Sequence, residues 1–236
     1  MNKPKLIVFA SGSKDGGGSG FENLATSSDL EADIVAVASN HEHGGVRERA
    51  DKLGVPFIYF SPGKHSQVLK NLRMSDEESV AAAYKKVVEE SGAEWIALSG
   101  WLKLVKGLDP ARTFNIHPAP LSLLDGRFGG PGMYGHHVHE AIKEALDAGE
   151  ITESGVTMHF VTYEYDRGPV FFEKRVQLEK GMSAEEIGAL VNKVEHEWQP
   201  RITNMVVHGE ISWDGKDPKT LTVPDGCEFL PPSRQT

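Results

Sequence analysis

The chain has a single cysteine, Cys227, among 236 residues, so no internal disulfide can staple it and no cysteine pair can hold a metal. It also lacks any apolar run near the ~20 residues that cross a bilayer. Its opening, MNKPKLIVFAS, runs from a basic start straight into a strand-like stretch with no cleavage pattern. A cytoplasmic protein without a membrane segment is the expectation. Concentrated positive charge is missing too: 25 Lys and Arg stand against 34 Asp and Glu, for a formal net charge of −9. With the acids spread along the chain, nothing offers the cationic face that neutralises a nucleic-acid backbone. A small anionic substrate stays compatible, because backbone amides at a helix start can hold one phosphate whatever the net charge. No internal repeat and no long Pro/Gly-rich interruption appears before the end. One domain over residues 1–213, followed by an irregular tail over 214–236, is therefore expected.

What is present is an alternation of strand-like and helix-like segments. Lys5–Ala10 (KLIVFA) is a continuous apolar run closed by a Ser/Gly-rich loop, the pattern of a central strand buried on both faces. Residues 21–30 read as a helix and 33–39 (DIVAVAS) as a second strand. A short helix with Arg47, Glu48 and Arg49 stops at Gly54, and residues 55–60 give a third strand. Ser75-Asp-Glu-Glu78 is a capping box ahead of Val80, Ala83, Tyr84, Val87 and Val88 at helical spacing. Residues 94–99 and 113–117 are further strands. The fold class this predicts is α/β, a doubly wound, mostly parallel sheet.

The second half keeps one more helix, with Val138, Ala141, Ile142, Ala145 and Leu146 in phase. Two β-rich runs, 156–161 and 169–176, follow. The link between them is too short for a helical crossover, which predicts an antiparallel pair in the C-terminal half. Ser183-Ala-Glu-Glu186 caps a final helix carrying Ile187, Leu190, Val191, Val194 and Trp198.

Three segments could carry chemistry. The loop Ser11–Gly20 lies between the first strand and the first helix, where exposed amides and the helix dipole attract an anion; it is neither a Walker loop nor a clean dinucleotide fingerprint, and a flexible turn explains it as well. In Asn115-Ile-His117-Pro118, the amide and the imidazole lie two apart on one face of a strand that the proline ends, at the carboxyl edge where open α/β sheets bind ligands. An amide N–H can hold an oxyanion and an imidazole titrates near neutrality, so the pair suits acyl transfer to an amine. Asp166, in the short link Glu164-Tyr-Asp-Arg-Gly168, reads as an ordinary turn carboxylate unless the fold brings it beside His117. The histidines His41 with His43, His136 with His137 and His139, and His159 with His117 lack an HExxH pattern, and no metal is expected.

The order of these pieces is informative: a glycine loop after the first strand, NIHP in mid-chain, HFV with Asp-x-Gly seven residues beyond its histidine, and a final helix carrying EH. This order resembles the phosphoribosylglycinamide (glycinamide ribonucleotide) formyltransferases over about residues 4–213. The resemblance implies a Rossmann-like formyltransferase fold, with an acceptor-binding half over about 1–100 and a folate-binding, catalytic half over about 101–213. It implies 10-formyltetrahydrofolate as co-substrate and glycinamide ribonucleotide as acceptor in purine synthesis, with small molecules as the only partners and a monomer or homodimer as the assembly. Asn115 would polarise the formyl carbonyl and hold the oxyanion, and His117 would carry protons between the attacking amine and the leaving folate nitrogen. Asp166 would orient His117, favour its protonated form and fix a water, with His159 supporting these groups from behind.

The family's phosphate loop falls on Gly18, Ser19, Gly20 and Phe21, with Gly20 where an asparagine is usual and an insertion over Lys14–Gly17. Glu195 matches the acidic residue that holds the acceptor's ribose or amine region, and Asn192, one turn before it on the same helix face, is placed in the same substrate-binding set. Trp101, Leu102, Lys103, Leu104 and Val105 match the segment whose backbone reads the pterin, and Val161, Thr162, Tyr163, Glu164 and Tyr165 the loop that closes over it. Asp125–His137 is longer and richer in glycine than the usual family link. Competing readings are an amino-sugar formyltransferase, whose acceptor is also small and phosphorylated, a catalytically silent folate-binding protein, and a nicotinamide-dependent oxidoreductase. The last is disfavoured because the second strand ends in Ser39-Asn40, without the acid that would hold a ribose diol.

Overall fold

The computed structural model describes residues 2–12, 16–69 and 75–224. Cys227, part of the Lys14–Gly17 insertion and the last part of the tail lie outside the described residues. The chain divides into two compact units, Met1–Phe114 and Asn115–Thr236.

The first unit is a parallel α/β layer. β1 (Lys5–Phe9) pairs in parallel with β2 (Asp33–Ser39) on one side and β4 (Trp95–Ser99) on the other, and β3 (Phe57–Tyr59) pairs with β2. The order is therefore β3-β2-β1-β4. Leu6 to Phe9 are fully buried, as a strand covered on both faces requires. Around these strands run α1 (Ser19–Thr26), α2 (Gly45–Leu53), α3 (Pro62–Leu69) and α4 (Asp76–Ser91). The Ser75 capping box forms in both directions, Ser75 Oγ accepting from the Glu78 amide and Glu78 accepting from the Ser75 amide. The helix α3 has no counterpart in the sequence reading. Its segment PGKHSQVL shows no clear apolar stripe, and its one start signal is Pro62 at the first helical position, where the missing N–H costs nothing.

The second unit carries most of β5 (Thr113–His117), which crosses the boundary, then α5 (His136–Asp147), β6 (Glu153–Phe160), β7 (Val170–Gln177) and α6 (Ala184–Val207). The β6–β7 pair is antiparallel, as its short link requires. Together the two units have the expected α/β class, mostly parallel with one antiparallel pair. The pairing steps from Met158–Phe172 to His159–Val170, so Phe171 is an extra residue on β7 and the ladder is bulged beside His159. The final helix runs on past Trp198 and through Pro200 to Val207. Proline removes one backbone bond there, but Ile202, Thr203, Val206 and Val207 are buried and hold the last turns against the core. Beyond it, Ser212 bridges Thr222 and residues Pro218–Thr220 form a 3-10 turn.

Candidate active site

Within the second unit, β5 delivers Asn115 and His117 to one cluster. His117 is buried, and its Nε2 lies 2.7 Å from the carbonyl oxygen of Phe128. A carbonyl only accepts, so Nε2 carries the proton of the neutral ring and Nδ1 keeps the free lone pair. That Nδ1 is 3.7 Å from Asp166 Oδ2, an ion-pair separation beyond hydrogen-bond range. Burial pushes the His117 pKa down. Asp166 and the Phe128 carbonyl pull it the other way and do not overcome burial, and the neighbouring His159 adds to the lowering. The resting imidazole is thus biased toward its neutral, base-competent form.

Asp166 reaches the cluster from the β6–β7 link with a left-handed backbone, φ 53, a conformation in which Asp is among the better tolerated residues. Its Oδ2 accepts from the Gly130 amide at 2.9 Å, and its Oδ1 is 3.4 Å from His159 Nε2. Burial raises its pKa, but the His159 hydrogen bond, the two imidazoles and the Gly130 amide outweigh that and hold it at about 2. The carboxylate is charged at any working pH. The link closes tightly at Gly168, where a Cβ would stand 1.7 Å from the Phe160 carbonyl oxygen, so no other residue fits.

His159 joins the two catalytic candidates. Its Nδ1 donates to the Phe160 carbonyl at 2.8 Å, and its Nε2 faces both Asn115 Nδ2 at 3.2 Å and Asp166 Oδ1. A neutral His159 accepts from the Asn115 amide; a protonated one donates to Asp166. An accepting His159 Nε2 engages one N–H of Asn115, and the amide has a second N–H that can donate to a developing oxyanion.

A polar strap fixes the chain as it leaves His117. Thr157 Oγ donates to the Ala119 carbonyl at 2.8 Å and accepts from the Leu121 amide at 3.0 Å. The Ser122 amide and hydroxyl both bond the buried carboxylate of Glu173, which Arg175 pairs in turn at 3.0 Å. Glu173 stands in VFFEKRVQ with no neighbouring motif to single it out, so the sequence carries no signal for its role. The partners supplied by the Phe128 carbonyl and the Gly130 amide are equally unmarked, because backbone groups leave no residue-type signal.

Elsewhere in this unit Asn192 Nδ2 is 3.4 Å from Glu195 Oε2, one turn along α6. Burial of Glu195 raises its pKa to about 7, with Asn192 opposing. Thr162 to Tyr165 form the surface of the β6–β7 link, with Tyr163 70% exposed and Val161 half-buried.

In the first unit, Gly18 is the N-cap of α1 with a left-handed backbone, φ 83, and α1 has no side-chain cap; Ser19, Gly20 and Phe21 make its first turn. The segment Trp101–Val105 is a loop after β4. Trp101 Nε1 donates to Tyr84 Oη at 3.0 Å, Tyr84 Oη donates to the Leu104 carbonyl at 3.2 Å, and the Leu102 amide donates to Ser11 Oγ at 3.0 Å. Leu102 and Lys103 are exposed. Among the described residues no group of three or more His, Cys, Asp or Glu could hold a metal ion, and no helix is long and apolar enough to cross a membrane.

Residues 4–203 match the family model described as Formyl transferase. The chloroplastic phosphoribosylglycinamide formyltransferase of Arabidopsis thaliana is 31% identical over 218 residues, which are 89% of this chain and 68% of that protein. The phosphoribosylglycinamide formyltransferase of Bacillus subtilis is 26% identical over 86% of this chain and 94% of its own length. The crystal structure of glycinamide ribonucleotide transformylase 1 from Symbiobacterium toebii superposes with a TM-score of 0.75 at 23% identity, over 94% of this chain and 95% of that one, a likeness of fold. The chain belongs to the phosphoribosylglycinamide formyltransferase family.

Proposed function

We propose that this chain transfers the formyl group of 10-formyltetrahydrofolate to the amine of glycinamide ribonucleotide, releasing tetrahydrofolate, in de novo purine synthesis. The observation that carries the proposal is the convergence of Asn115 and His117, from β5, with Asp166, from the β6–β7 link, on one cluster joined by the buried His159. Each has a role that follows from its surroundings. As the acceptor nitrogen bonds to the formyl carbon, the carbonyl oxygen takes up negative charge, and the second N–H of Asn115 donates to it. The nitrogen becomes acidic at the same moment, and the neutral His117, whose Nδ1 lone pair is free, takes its proton. The imidazolium returns that proton to the folate nitrogen as its bond to the formyl carbon breaks. Asp166, ionised throughout, favours the imidazolium while it lasts.

The same reading assigns the acceptor's phosphate to the backbone amides of Gly18, Ser19, Gly20 and Phe21 at the uncapped start of α1. It assigns the acceptor's ribose or amine region to Asn192 and Glu195, and the pterin to the backbone of Trp101–Val105 and of 161–165. Residues 1–213 are taken as the catalytic domain, active as a monomer or homodimer in the cytoplasm. The test is to mix the protein with 10-formyl-dideazafolate and follow release of the deformylated folate. Turnover with glycinamide ribonucleotide supports the proposal; turnover only with an amino-sugar nucleotide would replace the acceptor.

A further inference from the structure

We propose that Arg49 is a positioning residue for the acceptor's phosphate: it shapes the loop around Gly17 and Gly18 and neutralises Glu22, without itself touching the ligand. The inference rests on the assignment of Gly18–Phe21 as the phosphate site and adds to it a residue from a different helix.

The loop leaving β1 has an inherent difficulty as an anion site. Its amides attract an anion, but its carbonyl oxygens repel one, and the first turn of α1 carries an acid, Glu22, which competes for the positive end of the same helix. Arg49, on α2, meets both problems at once. Its Nη1 donates to the Gly17 carbonyl at 3.0 Å, so that this oxygen is directed at a guanidinium instead of the anion. Its Nε donates to Glu22 Oε2 at 2.8 Å, and Lys52 Nζ stands 3.8 Å from the other oxygen of that carboxylate. Nη1 also donates to the Gly45 carbonyl at 3.2 Å, which locks the start of α2 against the loop. That approach is close enough to demand glycine, since a Cβ at residue 45 would lie 2.7 Å from the Gly16 carbonyl oxygen.

Three acceptors in different directions need the planar fork of arginine. A lysine would restore the charge beside Glu22 with a single ammonium but could not hold the same set of carbonyls in fixed geometry. The arrangement therefore separates two contributions, charge neutralisation and loop geometry, which the two substitutions Arg49→Met and Arg49→Lys remove in different proportion.

The test is calorimetric binding of glycinamide ribonucleotide and of the corresponding unphosphorylated ribonucleoside to the full chain, with wild type, Arg49→Met and Arg49→Lys. The expected wild-type preference for the phosphorylated ligand falls by about 10-fold in Arg49→Met and by about 3-fold in Arg49→Lys, with affinity for the ribonucleoside unchanged and kcat at saturating acceptor nearly so. Equal weakening toward both ligands would mark Arg49 as a general fold residue and overturn the proposal, as would a preference that survives in both variants. A wild type that does not distinguish the two ligands would remove the phosphate assignment itself, and the role of Arg49 with it. Should Arg49→Met fail to fold, Arg49→Lys alone decides: an undiminished preference there contradicts the proposal.

Discussion

The loop after β1 and the side-chain cluster at the end of β5 offer different parts of the polypeptide. In the cluster at the end of β5 the groups on offer are side chains, an amide, two imidazoles and a carboxylate, whose distances and charge are set by burial and by one another. After β1, and after β4 in the same unit, the groups on offer are backbone amides and carbonyls, held by Arg49, Ser11 and Tyr84 from outside. A site made of side chains is destroyed by replacing its members. A site made of backbone is weakened by replacing the residues that shape it, and it tolerates changes in its own side chains.

This contrast is sharpest in the rates. Replacing His117 or Asn115 by Ala is expected to lower kcat by at least ~10²-fold while thermal unfolding shows the fold intact, the usual scale for a general base or an oxyanion donor. Near-normal turnover would remove the side-chain half of the contrast. Asp166→Asn should cost about 10²-fold and also move the acidic limb of the kcat/KM profile to lower pH. The sign follows because the carboxylate raises the His117 pKa against burial, and its loss lets burial win further. The same carboxyl, held at about 2 instead of 3.8, contributes roughly 2 kcal/mol of stability; this is complete above pH ~4 and is lost as pH falls toward 2. The wild type's stability advantage over Asp166→Asn should therefore shrink across that window in acid-unfolding measurements.

The backbone half predicts smaller effects, confined to binding. Tyr84→Phe removes the hydroxyl that joins Trp101 Nε1 to the Leu104 carbonyl, and steady-state kinetics should show the folate KM rising about 10-fold with kcat preserved. A fall in kcat with KM unchanged would blur the contrast. The smallest effect lies outside both loops and falls on stability, in Glu195→Gln on α6. Burial raises this carboxyl to about 7, so its ionisation destabilises the fold as pH climbs from the unfolded value through 7. The variant should be more stable than wild type by about 1–2 kcal/mol at pH 8, allowing for partial solvation of a half-buried group, and equal to it near pH 4.

The same division explains what could be read from the residues. Asn115, His117 and Asp166 are recognisable because the roles proposed for them depend on residue identity, and the Ser75 and Ser183 capping boxes because a side chain closes each helix. The parallel class follows from strands such as KLIVFA with no polar face. Phe128 and Gly130 act through a carbonyl and an amide that every residue possesses, so nothing in their names reveals them. Glu173 is concealed differently: its inward direction depends on the β6–β7 register and on Ser122 and Arg175, which only the fold brings to it. The helix α3 is hidden because its eight residues show no stripe.

The central claim is that the imidazole, carboxylate and amide act as one device in formyl transfer. It is tested most directly by following a ¹³C-labelled formyl group from the folate to glycinamide ribonucleotide in wild type, His117→Ala, Asp166→Asn and the double variant. The account predicts label on the acceptor amine in wild type, and a double variant scarcely slower than His117→Ala, because the second loss finds the device already broken. Independent, multiplying losses, or label transferred at the wild-type rate by the double variant, would contradict it.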